Sequence, residues 1–314
     1  MGESVLLSIC IPTRNRAGYL EATLASIVSQ DAFKNGREIE VVISDNCSED
    51  ATCDVVSRFR REYGEDRIRY VRQQRPLDWG ESFAAALQMG RGVFLKLNND
   101  TLSWKDGALS RVVSLIRRHR PDRPVLWFPN RDGEAGSCRG LDEFVTRASF
   151  FSTWIAAFGV WREELDVVIP IFREDRTLLP QTVYLLGRVA AGISVEIICG
   201  ELFRVAIPAR KGGYNIAQVF GHHYLGFLLE YVRRGALSRT VYEREKRLIL
   251  LKHINPFYFD LKGEFAFERT GYFKWLLPYY RSNLYFYLSV MQMVWKWLMM
   301  RRKRLSRKLR DFGA

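Results

Sequence analysis

The sequence predicts an α/β fold, a mostly parallel sheet covered by helices on both faces, continued by a helical C-terminal extension. Three observations predict it. Over the first 130 residues, short apolar runs alternate with stretches of helical periodicity, the pattern of repeated strand–helix units. From about Ile216 the strand signals stop, and apolar residues recur at helical spacing amid many aromatics. Seven of the ten residues 301–310 are Lys or Arg. The expected division is therefore an α/β domain over residues 1–210 and an aromatic-rich, basic extension over residues 211–314.

Leu6–Ile11 reads as a buried strand stopped by Pro12. Leu20, Leu24, Ile27 and Val28 place a helix over Ala17–Gln30. Ile39–Ser44 is a second strand. Val55, Val56 and Phe59 mark a second helix, capped by Ser48 or Asp50. Ile68–Val71 is a third strand, and a helix carrying Phe83 and Leu87 begins after Gly80. Val93–Leu97 is the fourth strand, Leu109 to Ile116 a fourth helix, and Val125–Phe128 a fifth strand of the same sheet. Asn130–Ser137 reads as a mobile, turn-rich loop. Thr182–Ala191 is a helix and Ser194–Cys199 a strand. The C-terminal helices are expected to break near Pro256 and Pro278.

Composition narrows the function. The chain has 314 residues, 47% hydrophobic and 26% charged, which excludes a disordered tail, a collagen and a disulfide mini-protein. Its five cysteines are scattered and include no C-x-x-C pair, so neither a zinc ribbon nor a thioredoxin motif is present. Met1–Leu6 lacks a basic n-region and a long apolar stretch, so the expectation is no signal peptide and a cytoplasmic location. The net charge is +13, and removing the seven cations of 301–310 leaves +6. Such an end suits a polyanion. Nucleic acid is disfavoured, because the aromatics interleave with aliphatics rather than with cations.

In an open α/β sheet, ligands bind beyond the carboxyl ends of the strands. Four segments follow the strands: Pro12-Thr13-Arg14-Asn15-Arg16, Asp45-Asn46-Cys47-Ser48, Pro76-Leu77-Asp78-Trp79-Gly80 and Asn98-Asn99-Asp100-Thr101. Together they offer hydroxyls, amides, arginines and carboxylates, a set suited to a nucleotide diphosphate and a divalent cation. Neither G-x-G-x-x-G nor a P-loop occurs.

Ile11-Pro12-Thr13-Arg14-Asn15-Arg16 resembles the opening motif of family 2 glycosyltransferases of the GT-A fold. Val42–Thr52 resembles their second motif, and Asn98-Asn99-Asp100 the N-x-D form of their D-x-D motif. The spacings fit, with 32 residues from Thr13 to Asp45 and 55 from Asp45 to Asp100. The resemblance covers residues 5–205 and extends to abequosyltransferase-like and rhamnosyltransferase-like enzymes of bacterial O-antigen assembly. It implies a UDP-, dTDP-, GDP- or CDP-linked sugar donor and transfer, inverting and metal-dependent, to a lipid-linked or polysaccharide glycan. Pro12, Thr13, Arg14, Asn15, Asp45, Asn46, Asp78, Gly80, Asn98 and Asn99 would line the nucleotide pocket, with Asp45 accepting from the base. Asp100 would hold Mn²⁺ or Mg²⁺. Relatives carry a Glu-Asp base pair opening a helix. Here that helix opens at Leu179-Pro180-Gln181-Thr182, so the base is taken from the nearest pair, Glu174-Asp175, Asp175 first, with another carboxylate such as Asp132 or Asp142 as the alternative. The two Asn and the displaced pair also fit a catalytically inactive binding protein of the same fold.

Leu284–Met300 is apolar except for Ser289, Gln292 and Lys296, which share one helical face. With Trp295 and Trp297, and with Arg301, Arg302, Lys303 and Arg304 following, it reads as an interfacial helix plus polybasic run. That combination suits the anionic inner face of a bacterial membrane. The other surface such a helix could meet is protein, its own catalytic domain or a second copy.

Overall fold

The computed structural model describes residues 5–206, 212–259 and 265–311; for Arg301 and for residues 303–310 only the helical backbone is described. The chain divides into two compact units, residues 1–207 and 208–314.

The first unit runs β1 (Leu7–Thr13), α1 (Ala17–Val28), α2 (Asp31–Lys34), β2 (Ile39–Asp45), α3 (Thr52–Tyr63), β3 (Ile68–Arg72), α4 (Trp79–Met89), β4 (Phe94–Leu97), β5 (Leu102–Trp104), α5 (Ala108–His119), β6 (Val125–Trp127), β7 (Gly136–Cys138), α6 (Leu141–Ala148), β8 (Gly159–Trp161), α7 (Leu165–Glu174), α8 (Pro180–Ala190), β9 (Val195–Ile197) and β10 (Phe203–Val205). The main sheet has the order β3-β2-β1-β4-β8. Its first four strands are parallel and β8 is antiparallel. Every residue of β2 is buried, as expected of a strand covered on both faces. Helix α1 buries Leu20, Leu24, Ile27 and Val28, and α5 buries Leu109, Val112, Val113 and Ile116. Full burial of such side chains contributes roughly 1.5–3 kcal/mol each.

At the opposite end of the sheet from the strand-end motifs, Glu40 is buried. Its carboxylate accepts from the Ser8 hydroxyl at 2.7 Å, from the Arg91 backbone N–H at 2.6 Å and from Arg91 Nε at 2.9 Å. These bonds tie β1 and β2 to the α4–β4 turn and leave the buried charge fully partnered.

Three expectations are corrected. Val125–Trp127 is a strand of a separate three-stranded sheet, ordered β6-β9-β7, and the fifth strand of the main sheet is β8. Gly159 makes that pairing feasible: a Cβ there would lie 2.5 Å from the Phe94 ring. The Asn130–Ser137 loop ends at Ala135, since β7 begins at Gly136, and it is fastened at both ends. Asn130 Oδ1 accepts from the Leu202 and Phe203 amides, both at 2.7 Å, and β7 closes the segment against β9. The helix expected after Gly80 begins at Trp79, two residues earlier, for a reason given below.

The second unit runs β11 (Gly212–Asn215), a π-helical stretch (Ala217–Tyr224) leading into α9 (Leu225–Arg233), α10 (Arg239–Ile249), a second π-helical stretch (Leu250–Ile254), α11 (Asn255–Phe259), β12 (Ala266–Glu268), α12 (Tyr272–Tyr280) and α13 (Leu284–Asp311). Pro256 is the second residue of α11, so the irregularity expected there takes the form of a change from π- to α-helix rather than a break. Pro278 lies in the last turn of α12. Phe286 of α13 is fully buried, stacked on Tyr272 and Tyr280 with centroids 5.9 and 5.4 Å apart.

Candidate active site

Thr13 and Asp45 are register partners at the ends of β1 and β2. Strand β4 ends at Leu97 opposite Cys10, and the Asn98 N–H donates to the Cys10 carbonyl at 2.9 Å. The three motif segments therefore leave the same carboxyl edge side by side.

Asp100 is their meeting point and is only 3% exposed. Thr13 Oγ1 donates to its Oδ2 at 2.9 Å, and Arg16 Nη1 lies 3.0 Å from its Oδ1. The Thr23 hydroxyl donates to its backbone carbonyl at 2.8 Å, so the residue is pinned from main chain and side chain alike. Burial pushes its carboxyl pKa up, and Arg16 and Thr13 oppose that shift. Asn98 is fully buried two residues earlier. Its amide donates to the Asn99 carbonyl at 2.8 Å, while its Oδ1 is buried with no hydrogen-bond partner.

Asp45 has no exposed surface. Its Oδ1 accepts from the Ser48 amide at 2.9 Å and its Oδ2 from the Tyr70 hydroxyl at 2.7 Å. Burial and this carboxylate push the Tyr70 phenol pKa upward. In this conformation Asp45 thus holds the turn after β2 and presents no surface to a base. Asn15, at φ 52°, accepts from the Glu49 amide at 2.7 Å and donates its own N–H to Ser48 Oγ at 2.9 Å. A left-handed backbone suits Asn better than most residues, and here it fastens the first motif to the second. Neither expected cap of α3 is its N-cap: that residue is Ala51, while Asp50, one residue before it, accepts from the Thr52 amide at 3.1 Å.

Asn46 makes two bonds to Leu77, accepting from its N–H at 2.6 Å and donating to its carbonyl at 2.9 Å. This brings the segment after β3 to the same edge. Pro12 is half-buried at the end of β1, and Arg14 is exposed. Asn99 accepts through its carbonyl from the Leu102 amide at 3.1 Å.

Other positions have structural work. Asp78 is the N-cap of α4: its carboxylate accepts from the Glu81 amide at 2.8 Å in a reciprocal capping box, which starts the helix at Trp79. Gly80 is buried, and a Cβ there would lie 2.0 Å from the Phe172 carbonyl oxygen, so it permits α4 to approach α7. Neither observation gives these two residues a contact with a nucleotide. Asp175 caps the end of α7. Its Oδ2 accepts from the Thr177 and Leu178 amides at 3.0 and 2.7 Å, and its Oδ1 from the Thr177 hydroxyl. Both oxygens are engaged in the turn that leads to α8, which is turn chemistry rather than that of a free base. Glu174 is exposed at the last residue of α7.

Three residues that matter to the site were not assigned from the sequence. Arg16 lay within the quoted motif, and its cationic side chain beside a lone carboxylate was the available signal. Thr23 and Tyr70 sit among apolar residues of α1 and β3 with no local signal.

Among the described residues, no group of three or more His, Cys, Asp or Glu could hold a metal ion. What the edge offers is Asp100 with the unpartnered Asn98 Oδ1, hard oxygen donors that need a diphosphate to complete a hard-cation shell. That donor set fits a divalent ion held together with a nucleotide.

On α13, Trp295 and Trp297 are 58% and 44% exposed, and Arg302 is exposed. Arg301, Lys303 and Arg304 lie on the same helix; their side chains fall outside the described residues. No helix among the described residues is long and apolar enough to cross a membrane.

The sheet order and the strand-edge site define a class, the GT-A glycosyltransferase fold. Similar solved structures include Staphylococcus aureus TarS residues 1–349 in complex with UDP-GlcNAc, with a TM-score of 0.59 at 15% identity over 83% of this chain and 77% of that one. A mannosyltransferase from Pyrobaculum calidifontis, in complex with GDP-Man and Mn²⁺, gives 0.55 at 16% identity over 81% and 72%. The family model described as glycosyl transferase family 2 matches residues 8–164, and the chain belongs to that family. Abequosyltransferase RfbV of Salmonella typhimurium is 39% identical over 88 residues, 28% of this chain and 26% of that protein. Validoxylamine A glucosyltransferase of Streptomyces hygroscopicus is 44% identical over 87 residues, 27% of this chain and 18% of that protein. The matched stretches thus span about a quarter or less of these relatives.

Proposed function

We propose that the chain transfers a sugar from a nucleotide donor to a glycan acceptor, lipid-linked or polysaccharide, of the kind used in O-antigen or cell-surface glycan assembly. The observation that carries this reading is Asp100, buried two residues after Asn98, whose own buried Oδ1 has no partner, at the edge where the three motifs converge. Asp100 and Asn98 would hold Mn²⁺ or Mg²⁺, which when bound neutralises the charge developing on the leaving diphosphate. Thr13 and Arg16 orient Asp100, and Asn15, Asp45 and Asn46 hold the three loops that shape the nucleotide pocket. The bond from the anomeric carbon to the diphosphate breaks, the acceptor oxygen forms the new bond, and the acceptor hydroxyl gives its proton to a carboxylate acting as general base. Attack from the face opposite the leaving group makes the transfer inverting.

The C-terminal helix supports an acceptor held at an anionic membrane surface. Its apolar side chains Leu284, Leu288, Met291, Trp295 and Leu298 are each more than half exposed, while Ser289, on its polar face, is buried and receives a bond from Asn255. Only its first turns are covered, by Phe286 and Ser289; beyond them Gln292 and Lys296 are exposed as well as the apolar side chains, so no core covers this apolar surface among the described residues. The basic run follows on the same helix. The reading is tested by incubating the full chain with UDP-, dTDP-, GDP- and CDP-sugars and Mn²⁺, with lipid-linked glycan acceptors. Metal-dependent release of one nucleoside diphosphate is expected. Release of none, from folded protein, would favour the inactive binding protein.

A further inference from the structure

We propose that Arg16 is an exchangeable counterion: it occupies the cation position on Asp100 until metal and donor arrive together, then moves to the donor diphosphate. The proposal rests on the functional reading above and deepens it.

Asp100 is buried and has two carboxylate oxygens, one taken by the Thr13 hydroxyl and the other by Arg16. A metal ion that binds Asp100 must share a carboxylate oxygen with one of these donors or displace it. Thr13 lies within β1 and is buried, so its hydroxyl is held by the sheet. The Arg16 side chain is 46% exposed, sits just beyond the strand, and has a long stem free to rotate. A guanidinium and a divalent ion on one carboxylate repel each other, because their separation would be a few ångströms in a half-desolvated site. Arg16 is therefore the group that leaves.

Where it goes follows from charge. A planar guanidinium recognises phosphate oxygens through paired N–H donors. The diphosphate that the metal bridges would be the nearest new anion. Arg16 thus competes with metal in the free protein and assists the donor in the loaded one. By linkage, metal and nucleotide must strengthen each other's binding by one and the same factor. The single Asp in an N-x-D motif then gains a purpose: with Arg16 present, metal alone is held weakly, and the site fills only with donor.

The experiment measures Mn²⁺ alone by electron paramagnetic resonance on the full chain, then repeats it with UDP, dTDP, GDP or CDP. Arg16→Gln should bind Mn²⁺ alone at least tenfold more tightly than wild type, and nucleotide should enhance that binding at least tenfold less. Arg16→Lys, which keeps the charge, should stay close to wild type in the metal-alone measurement. Adding Asp100→Asn to Arg16→Gln should erase the gain, showing that the ion sits at this carboxylate. Equal or weaker Mn²⁺ affinity in folded Arg16→Gln overturns the proposal. Loss of nucleotide binding in wild type, with the metal-alone gain intact, would count against the donor reading and leave the counterion role standing.

Discussion

At the residue scale, two side chains decide how far the motifs can be read as chemistry. Asp175 was the sequence candidate for the base, and the structure engages both its oxygens in the turn after α7. Asn can accept the same backbone bonds, so Asp175→Asn should keep most of the transfer rate. Asp175→Ala should lower stability by about 1 kcal/mol through loss of the turn bonds. A thousandfold loss of rate in Asp175→Asn with an unchanged melting temperature would restore it as the base. Lys96 is the second. It is fully buried on β4, donating to the Leu97 carbonyl at 2.7 Å and to the Ala156 carbonyl. Burial pushes its pKa down from 10.5 to about 7. Between those values the unfolded chain binds more protons than the native one, so stability rises with pH through that window. Denaturant midpoints should therefore climb from pH 7 to pH 9, and Lys96→Met should flatten the climb. Above about pH 9 the buried Cys10 thiol, with its raised pKa, acts in the opposite direction. An identical slope in Lys96→Met would show that this lysine does not titrate there.

At the element scale, the parallel strands were the most legible part of the molecule. Ile39–Ser44 and Leu6–Ile11 are continuous apolar runs bounded by turn residues, and strands buried on both faces read that way. The fifth strand was misplaced, because Val125–Trp127 and Gly159–Trp161 are both three-residue segments whose partners are set by tertiary packing. Asp78 and Gly80 were read as pocket residues because they follow a strand, yet the same residue types also start helices and permit close packing. Gly80 gives the sharper test. Gly80→Ala would force a methyl against the Phe172 carbonyl and separate α4 from α7. A loss of roughly 1–3 kcal/mol in unfolding free energy is expected, as for overpacked cores, with nucleotide affinity per folded molecule little changed. A selective loss of nucleotide binding at unchanged stability would return Gly80 to the pocket. The strand-edge motifs were legible because three of them recur in order. The Arg16–Asp100 and Tyr70–Asp45 contacts were not, since each joins residues far apart in sequence.

At the scale of the whole molecule, each unit has its own core, and the second exposes an unusual surface. The sequence showed that α13 has an apolar and a polar side; only the structure shows that Ser289 is buried against Asn255 while Met291, Trp295 and Leu298 stay exposed. It also shows that Phe286 belongs to the unit's core, so truncation before α13 would strip a buried ring. Point substitutions are the cleaner probe. Met291→Ser, Trp295→Ser and Leu298→Ser combined should leave folding and nucleotide binding intact, because all three side chains are more than half exposed. Cosedimentation with phosphatidylglycerol vesicles at low salt should fall at least tenfold. Wild-type protein that ignores such vesicles but dimerises through this face, with the triple variant monomeric, would make the surface a protein interface.

The most direct measurement of the central claim is calorimetric titration of UDP, dTDP, GDP and CDP into full-length protein, with and without Mn²⁺, for wild type and Asp100→Asn. The expected result is that wild type binds at least one of the four, more than tenfold tighter with Mn²⁺, and that folded Asp100→Asn loses this enhancement. An Asp100→Asn variant with the full wild-type Mn²⁺ enhancement would contradict the placement of the metal–diphosphate site at this edge of the sheet.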